Sequence, residues 1–417
     1  MKIQLKTLQK TLKGKNSHLN FSLYIARRYL LSKSSNNAIN IITLIATTGV
    51  IVSTIALFIV LSVFSGLKDF SLSFIRTADP DLKITSTKGK SFFYNDSLEK
   101  ALMLDKIKAH SKVVEERVFL SYADKSHVAS IKGVDTSFLH VNRMDTAVYF
   151  GNWVNYKAKH TVVVGSAISM ALSIGAYDFL ETLKIYVPKP GKGYITNPKT
   201  AFSQVSAQTI GIYRLTDDID KKYIYANLEL AQDLLTYKEN QISALELRLH
   251  SDADVKNVQK ELQKRLGDDF QVKTRQQLNS VFYKMLNTEN LVSYLVFTLV
   301  LVIALFNVIG AIVMMIIDKR ENLKTLFHLG SPISDIRKIF VFQGFLLTGF
   351  GLIIGLFIAI PLVILQKKIG FIMITQSLPY PVEFEMFNVF TVIATLLVLG
   401  FISAKIASGR ISKKLVE

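Results

Sequence analysis

Residues 41–64 read IITLIATTGVIVSTIALFIVLSVF, a run without one charged side chain. A bilayer core of ~30 Å is crossed by roughly 20 helical residues, so this stretch is long enough to span. Three more runs lack Asp, Glu, Lys and Arg: residues 291–317, 339–366 and 386–404. Uncharged helices of this length are costly to keep outside lipid, so buried helices of a large soluble core are the weaker reading. The first run is too long for a signal-peptide core, and no clean small-x-small cleavage site follows it. The fold class that results is a membrane protein with four transmembrane α-helices, one and then three. A large extracytoplasmic mixed α+β domain lies between spans 1 and 2.

The 417-residue chain is 50% apolar and 20% charged, which excludes a disordered or collagen-like protein. It has no cysteine, which excludes a disulfide scaffold, Cys-ligated zinc, iron–sulfur clusters and thiol catalysis. The net charge of +18 has two explanations, nucleic acid or membrane topology. Its placement decides. Lys2, Lys6, Lys10, Lys13, Lys15, Arg27, Arg28 and Lys33 precede the first span with no acid among them. Lys319, Arg320, Lys324, Arg337 and Lys338 lie between the second and third runs, and Lys405, Arg410, Lys413 and Lys414 follow the fourth. The positive-inside rule places all three segments in the cytoplasm. Residues 367–385 balance Lys367 and Lys368 with Glu383 and Glu385 and read as external. The expected order is a cytoplasmic segment 1–40, spans 41–64, 291–317, 339–366 and 386–404, an external domain 65–290, a cytoplasmic loop 318–338, an external loop 367–385 and a cytoplasmic tail 405–417. Nucleic acid is not an expected partner. Leu5, Leu8 and Leu12 mark a weak interfacial helix, and residues 21–31 a better one on the inner leaflet, with Arg27 and Arg28 at headgroup depth.

Within 65–290, β-branched and aromatic runs predict strands at 82–85, 118–122, 127–132, 161–165, 183–187, 207–213, 222–225, 244–249 and 270–273. Helices are predicted at 227–235 and 252–266, the second stopped by Gly267. Phe64, Leu67, Phe74 and Ile75 continue a helical stripe out of the first span. Leu278, Val281, Phe282, Met285 and Leu286 form another into the second, with Thr274 and Gln277 as a capping box. Both read as stalk helices running unbroken into the spans. Between strands, PKPGKGYITNPKTAFSQ (188–204) reads as a long hairpin loop rich in proline and glycine. Its spacing does not fit GxxxxGK[ST], so it is no phosphate loop.

Catalytic signals are missing: no Walker A, no GxSxG and no HxxxH or HxH pair. The spans carry no ionisable acid, Lys or Arg, which argues against an ion-coupled carrier. Asn307 reads as interhelical glue. Gly49, Ser53, Gly310 and Ala311 are small-residue contact candidates, and Gly351 with Gly355 forms a GxxxG. The loop DKRENLKTLFHLG (318–330) predicts an amphipathic helix closed by Gly330, with Leu323, Leu326 and Phe327 as its apolar stripe. Ser331 and Pro332 then open the next helix.

ENLKTLFHLGSPISDIRKIFVFQGFLL (321–347) resembles the coupling-helix segment of FtsX/MacB-type ABC permeases. Residues 26–69 resemble the start of lipoprotein-releasing permeases of the LolC/LolE type, and the spacing of one span, a large domain and three spans matches too. The resemblance implies a permease subunit of a type VII, mechanotransmission ABC complex. Such a complex releases lipoproteins from the bacterial inner membrane toward the outer membrane. The subunit is not itself an enzyme and holds no cofactor; ATP and Mg²⁺ are expected on a separate LolD-type ATPase. It implies further partners: a second permease subunit, as homo- or heterodimer, the lipoprotein substrate, a periplasmic carrier and membrane lipid. Onto this chain it carries Glu321, Lys324, Thr325, Leu326, Leu329 and Gly330 as the ATPase-coupling segment. Val50, Ile51, Thr54, Ile55 and Phe58 are expected to line the lipoprotein path. Pro190, Gly191, Tyr194, Ile195 and Pro198 are expected in a carrier-binding hook. The alternatives are an FtsX-like permease signalling to a cell-wall hydrolase, a MacB-like exporter of another cargo, and a membrane-anchored sensor. The large external domain argues against the first, the lack of a fused ATPase against the second, and the coupling-helix-like loop against the third.

Overall fold

The computed structural model describes residues 21–31, 37–178, 181–189, 201–375 and 378–412. Leu5, Leu8 and Leu12 lie outside them. The chain divides into two compact units, residues 71–284 and residues 1–70 with 285–417.

Among the described residues, the helices long and apolar enough to cross a membrane are Asn37–Ala78, Ser280–Asp318, Ile333–Ile369 and Met386–Ser408. Their inner faces share one core that includes Leu57, Phe58, Leu305, Ile312, Phe340 and Leu396. Their outer faces stay bare, as at Phe357 (79% exposed) and Phe387 (75%), which is the pattern a hydrocarbon solvent permits. Polar contacts tie the helices to one another. Asn388 Nδ2 donates to Ser65 Oγ at 2.9 Å, and the hydroxyls of Tyr294 and Thr395 meet at 2.8 Å. Near the chain's end, the Arg337 guanidinium donates twice to the Ile411 carbonyl, at 2.9 and 2.7 Å. The helix Phe21–Leu31 forms as predicted, with Arg27 and Arg28 exposed. It buries Ala26, and Ser22 Oγ donates to the Asp335 carbonyl at 3.1 Å. Residues 367–385 are not plain loop, because Met373–Thr375 pairs antiparallel with Leu378–Pro379.

The first stalk is continuous within Asn37–Ala78. The second is not. Thr274 and Gln277 form the predicted capping box, but it caps only Arg275–Leu278. The chain then kinks at Asn279, whose side-chain amide donates to Asp79 at 2.7 Å and to the Arg275 carbonyl at 3.1 Å. Its carbonyl accepts from Tyr283, so the long helix starts afresh at Ser280. The stripe beyond it is only partly covered among the described residues: Phe282 and Leu286 are half-buried, whereas Val281 is 81% exposed.

Residues 71–284 build a mixed α+β domain on a ten-stranded sheet. Its strands are β1 (Leu82–Ser86), β3 (Ile107–Tyr122), β4 (Lys125–Val134), β5 (Val148–Gly151), β6 (Thr161–Gly165), β7 (Leu183–Pro188), β8 (Phe202–Tyr213), β9 (Tyr223–Asn227), β11 (Ala244–Leu249) and β12 (Phe270–Thr274). Two short strands, β2 (Phe92–Phe93) and β10 (Gln241–Ile242), pair apart from it. The order is β12-β1-β11-β3-β4-β9-β6-β8-β5, and β7 bridges β3 and β8. Pairings β3–β4–β9–β6–β8–β7–β3 therefore close a circuit of strands. Period-two alternation fills both faces. Val162, Val164, Ile224 and Ala226 enter one core, while Val163 and Tyr225 enter the other. Both predicted helices form, Leu228–Leu235 behind an Asn227 cap and Val255–Leu266 behind Asp254.

Register also brings charges together inside the second core. Glu115 on β3 sits opposite Lys132 on β4, and Lys83 on β1 opposite Glu246 on β11. Lys132 Nζ lies 2.8 Å from the fully buried Glu246, and Lys83 Nζ lies 2.6 Å from Glu115. Asn142 Nδ2 donates to Glu246 at 2.6 Å, and the Tyr223 hydroxyl donates to Glu115 at 2.9 Å. Burial alone raises the Glu115 carboxyl, but Lys83 and Lys132 outweigh it and hold it down at about 2. A depressed carboxylate stabilises the fold above its unfolded value of ~4.3 and loses that contribution as pH falls through the folded one. The stability gap between the parent and Glu115→Gln is therefore expected to shrink between pH ~5 and about 2 in urea unfolding. A gap constant over that window refutes the assignment.

Candidate functional site

The helix between the second and third spans is Arg320–His328. Apolar spacing buries Leu323 completely and half-buries Leu326 and Phe327. The opposite stripe, Glu321, Thr325 and Leu329, stays exposed at intervals of four, with Leu329 78% accessible. A Schellman stop ends the helix. Ser331 N–H donates to the Leu326 carbonyl at 3.1 Å and Gly330 N–H to Phe327 at 2.9 Å. Gly330 has φ +94°, open to glycine at little steric cost. The next helix starts one residue later than expected. Pro332, not Ser331, is its N-cap, with no side-chain hydrogen bond at that cap. The predicted coupling residues thus divide: Glu321, Thr325 and Leu329 face outward, Lys324 and Leu326 are half-buried, and Gly330 shapes the stop.

The residues expected along an apolar path divide as well. Val50, Thr54 and Phe58 are buried within the helix bundle, while Ile51 and Ile55 are half-exposed. The cause is the GxxxG of the third span. A Cβ on Gly351 would meet Val50 Cγ1 at 2.7 Å, and one on Gly355 would meet Thr54 Cβ at 2.6 Å. The two backbones approach so closely that Val50 and Thr54 have no outward side. Phe58 packs edge-on against Phe384, with centroids 6.3 Å apart. Among the described residues, the five do not share one exposed face. The outward surface of the helix belongs to Leu44, Ile45 and Val52, with Ile51 and Ile55 half-exposed beside it. Gly49 approaches Ala304, but Gly310 has no neighbour within 4 Å of an added Cβ. Gly310 and Asn307 are exposed together on the second span, so Asn307 is not glue among the described residues.

The expected hook residues Pro190, Gly191, Tyr194, Ile195 and Pro198 lie outside the described residues. The strands on either side are clear. β7 and β8 pair antiparallel out to Pro188 opposite Phe202, and Lys189 N–H donates to the Ala201 carbonyl at 2.9 Å. The connection is therefore a hairpin, and β8 claims residues 202–204, which had read as loop. Sequence reasoning missed the buried Lys132–Glu246 pair. The one available signal was a lysine interrupting the apolar end of β4.

Two family descriptions match the chain: the MacB-like periplasmic core domain over residues 43–265 and the FtsX-like permease C-terminal over residues 294–416. Among curated proteins, it is similar to the lipoprotein-releasing system transmembrane protein LolE of Haemophilus influenzae, at 24% identity over 95% of this chain and 98% of that protein. It is also similar to the lipoprotein-releasing system transmembrane protein LolC of Buchnera aphidicola (Schizaphis graminum), at 20% identity over 91% of this chain and 94% of that one. Among solved structures, the periplasmic region of MacB from Actinobacillus actinomycetemcomitans matches 48% of this chain and 92% of its own, with 12% identity and a TM-score of 0.34.

Proposed function

From a chain that belongs to the family with a MacB-like periplasmic core and an FtsX-like permease C-terminal domain, we propose a permease subunit of an ATP-driven complex that releases lipoproteins from the bacterial inner membrane. The reading rests on similarity running nearly end to end with proteins named for lipoprotein release. Both termini lie in the cytoplasm, and the inserted domain lies in the periplasm, as the cationic segments favour.

In this reading the outward stripe Glu321–Thr325–Leu329 docks a separate ATPase, which supplies ATP and Mg²⁺. Its apolar inner face, anchored by Leu323, transmits the push to the spans on either side. Ile51 and Ile55 offer the lipid-facing part of the acyl-chain path. The exposed Asn307 and Gly310 mark where a second permease subunit packs, because a polar side chain in hydrocarbon favours a partner helix. The β7–β8 connection meets the periplasmic carrier.

Leu329→Asp tests the central step. The residue is 78% exposed, so its replacement leaves the bundle intact. In proteoliposomes holding this chain, its ATPase and its permease partner, release is expected to fall at least about tenfold, the equivalent of ~1.4 kcal/mol of lost coupling. Membrane insertion stays normal. Parental release rates in the variant sink the docking assignment.

A further inference from the structure

The domain of residues 71–284 carries a cleft of about 1400 Å³ that none of the residues assigned above lines. Four guanidiniums and one ammonium face it: Arg76, Arg143, Arg248, Arg275 and Lys108. They arrive from separate segments, the close of the first long helix, the start of β3, the turn after Phe138–Val141, the end of β11 and the cap region after β12. A single carboxylate, Asp81, lines the cleft with them.

That carboxylate is already committed. Arg275 reaches it at 2.8 Å, Arg248 at 3.5 Å, and the Leu249 N–H donates to it at 2.9 Å. Arg143 and Lys108, both exposed, make no ion pair among the described residues. Burial lowers the pKa of Arg248; Asp81 pulls the other way, and Arg275 and Arg143 add to the lowering. Asp81 is thus shared by Arg248 and Arg275, and the lining of the cleft carries more cations than carboxylates. His110, His140 and His250 line the same cleft.

Leu139, Leu249, Ala253 and Val255 add an apolar part to the lining. The volume exceeds the ~300–1,000 Å³ of pockets for drug-sized ligands. A bare phosphate would use neither these side chains nor the volume. An extended chain that alternates carboxylates with apolar side chains would use both, its acids taken bidentately by guanidiniums. We propose that this cleft binds an acidic polypeptide segment presented by a protein that meets the domain. The proposal stands apart from the lipoprotein reading, since no path, coupling or hook residue takes part.

Fluorescence anisotropy on the full-length chain in neutral detergent tests it. The probe is a fluorescein-labelled peptide of alternating glutamate and leucine, compared with its glutamine counterpart. The glutamate peptide is expected to bind at least about tenfold tighter. Arg143→Glu and Lys108→Glu are each expected to weaken it by about tenfold or more. Both side chains are exposed, so the thermal unfolding of either variant should match the parent. Equal binding of the two peptides overturns the proposal, as does unchanged binding in both variants. Displacement by inorganic phosphate at matched ionic strength, at concentrations where chloride has no effect, assigns the cleft to a simple anion and also overturns it.

Discussion

Lys132→Met is expected to destabilise the inserted domain by about 3–5 kcal/mol, because it leaves a buried carboxylate without its cation. Lys132 is 3% exposed, and its Nζ lies 2.8 Å from Glu246, which is 0% exposed. Lys83 compensates only in part, since it stands 3.7 Å from Glu246 and is engaged with Glu115 at 2.6 Å. Methionine preserves most of the side-chain volume, so the loss reports charge rather than a cavity. Trp153, the chain's lone tryptophan, stacks on Phe138 within this same core and reports its unfolding. For a domain of this size a loss of 3–5 kcal/mol lowers the melting temperature by roughly 10 °C. Glu246→Leu added to Lys132→Met should recover part of the loss, since an apolar replacement of a buried pair is often tolerated. A drop below ~1 kcal/mol for the single variant would mean that water already reaches the pair.

The second large effect is expected in the membrane bundle. Gly355→Ala places a Cβ 2.6 Å from Thr54 Cβ and 3.1 Å from the Ile51 carbonyl oxygen, so two helices must move apart. Overpacking of this kind costs about 1–3 kcal/mol, occasionally more. Gly351→Ala meets Val50 Cβ at 3.0 Å and should add to it. The check is the temperature at which the purified chain loses its monodisperse peak in mild detergent. Thr54→Gly should rescue Gly355→Ala, because it removes the atom that is struck. A Gly355→Ala protein as robust as the parent would show that these helices do not touch there. The same contact explains why a bulky residue at Thr54 probes helix packing rather than the acyl-chain path.

The two predictions differ in how far the sequence anticipates them. GxxxG is a local pattern, so Gly351 and Gly355 stand out as contact candidates from their spacing alone. Their partners do not, because Val50 and Thr54 are about three hundred residues away in the chain. Lys132 and Glu246 look like ordinary strand residues. Nothing in either segment says that β11 and β4 both flank β3. The break at Asn279 is hidden in the same way. The apolar spacing from Leu278 onward is regular, and only the distant Asp79 side chain marks the place where the helix restarts.

What the sequence determined by itself is whatever depends on neighbours along the chain. The four uncharged runs, the mixed domain between the first two, the strand alternation, the capping box of Thr274 and Gln277 and the glycine stop at Gly330 all follow from local chemistry. The tertiary structure alone decided which face of each element is buried against which other. It turned Val50, Thr54 and Phe58 inward and left Ile51 and Ile55 at the surface. It joined Lys83, Glu115, Lys132 and Glu246, and it gathered five cations from separate segments around one aspartate. The physical reason is one of range. Hydrophobicity, capping and turn preference act over a few residues, whereas burial and ion pairing need partners that only the folded chain brings within a few ångströms.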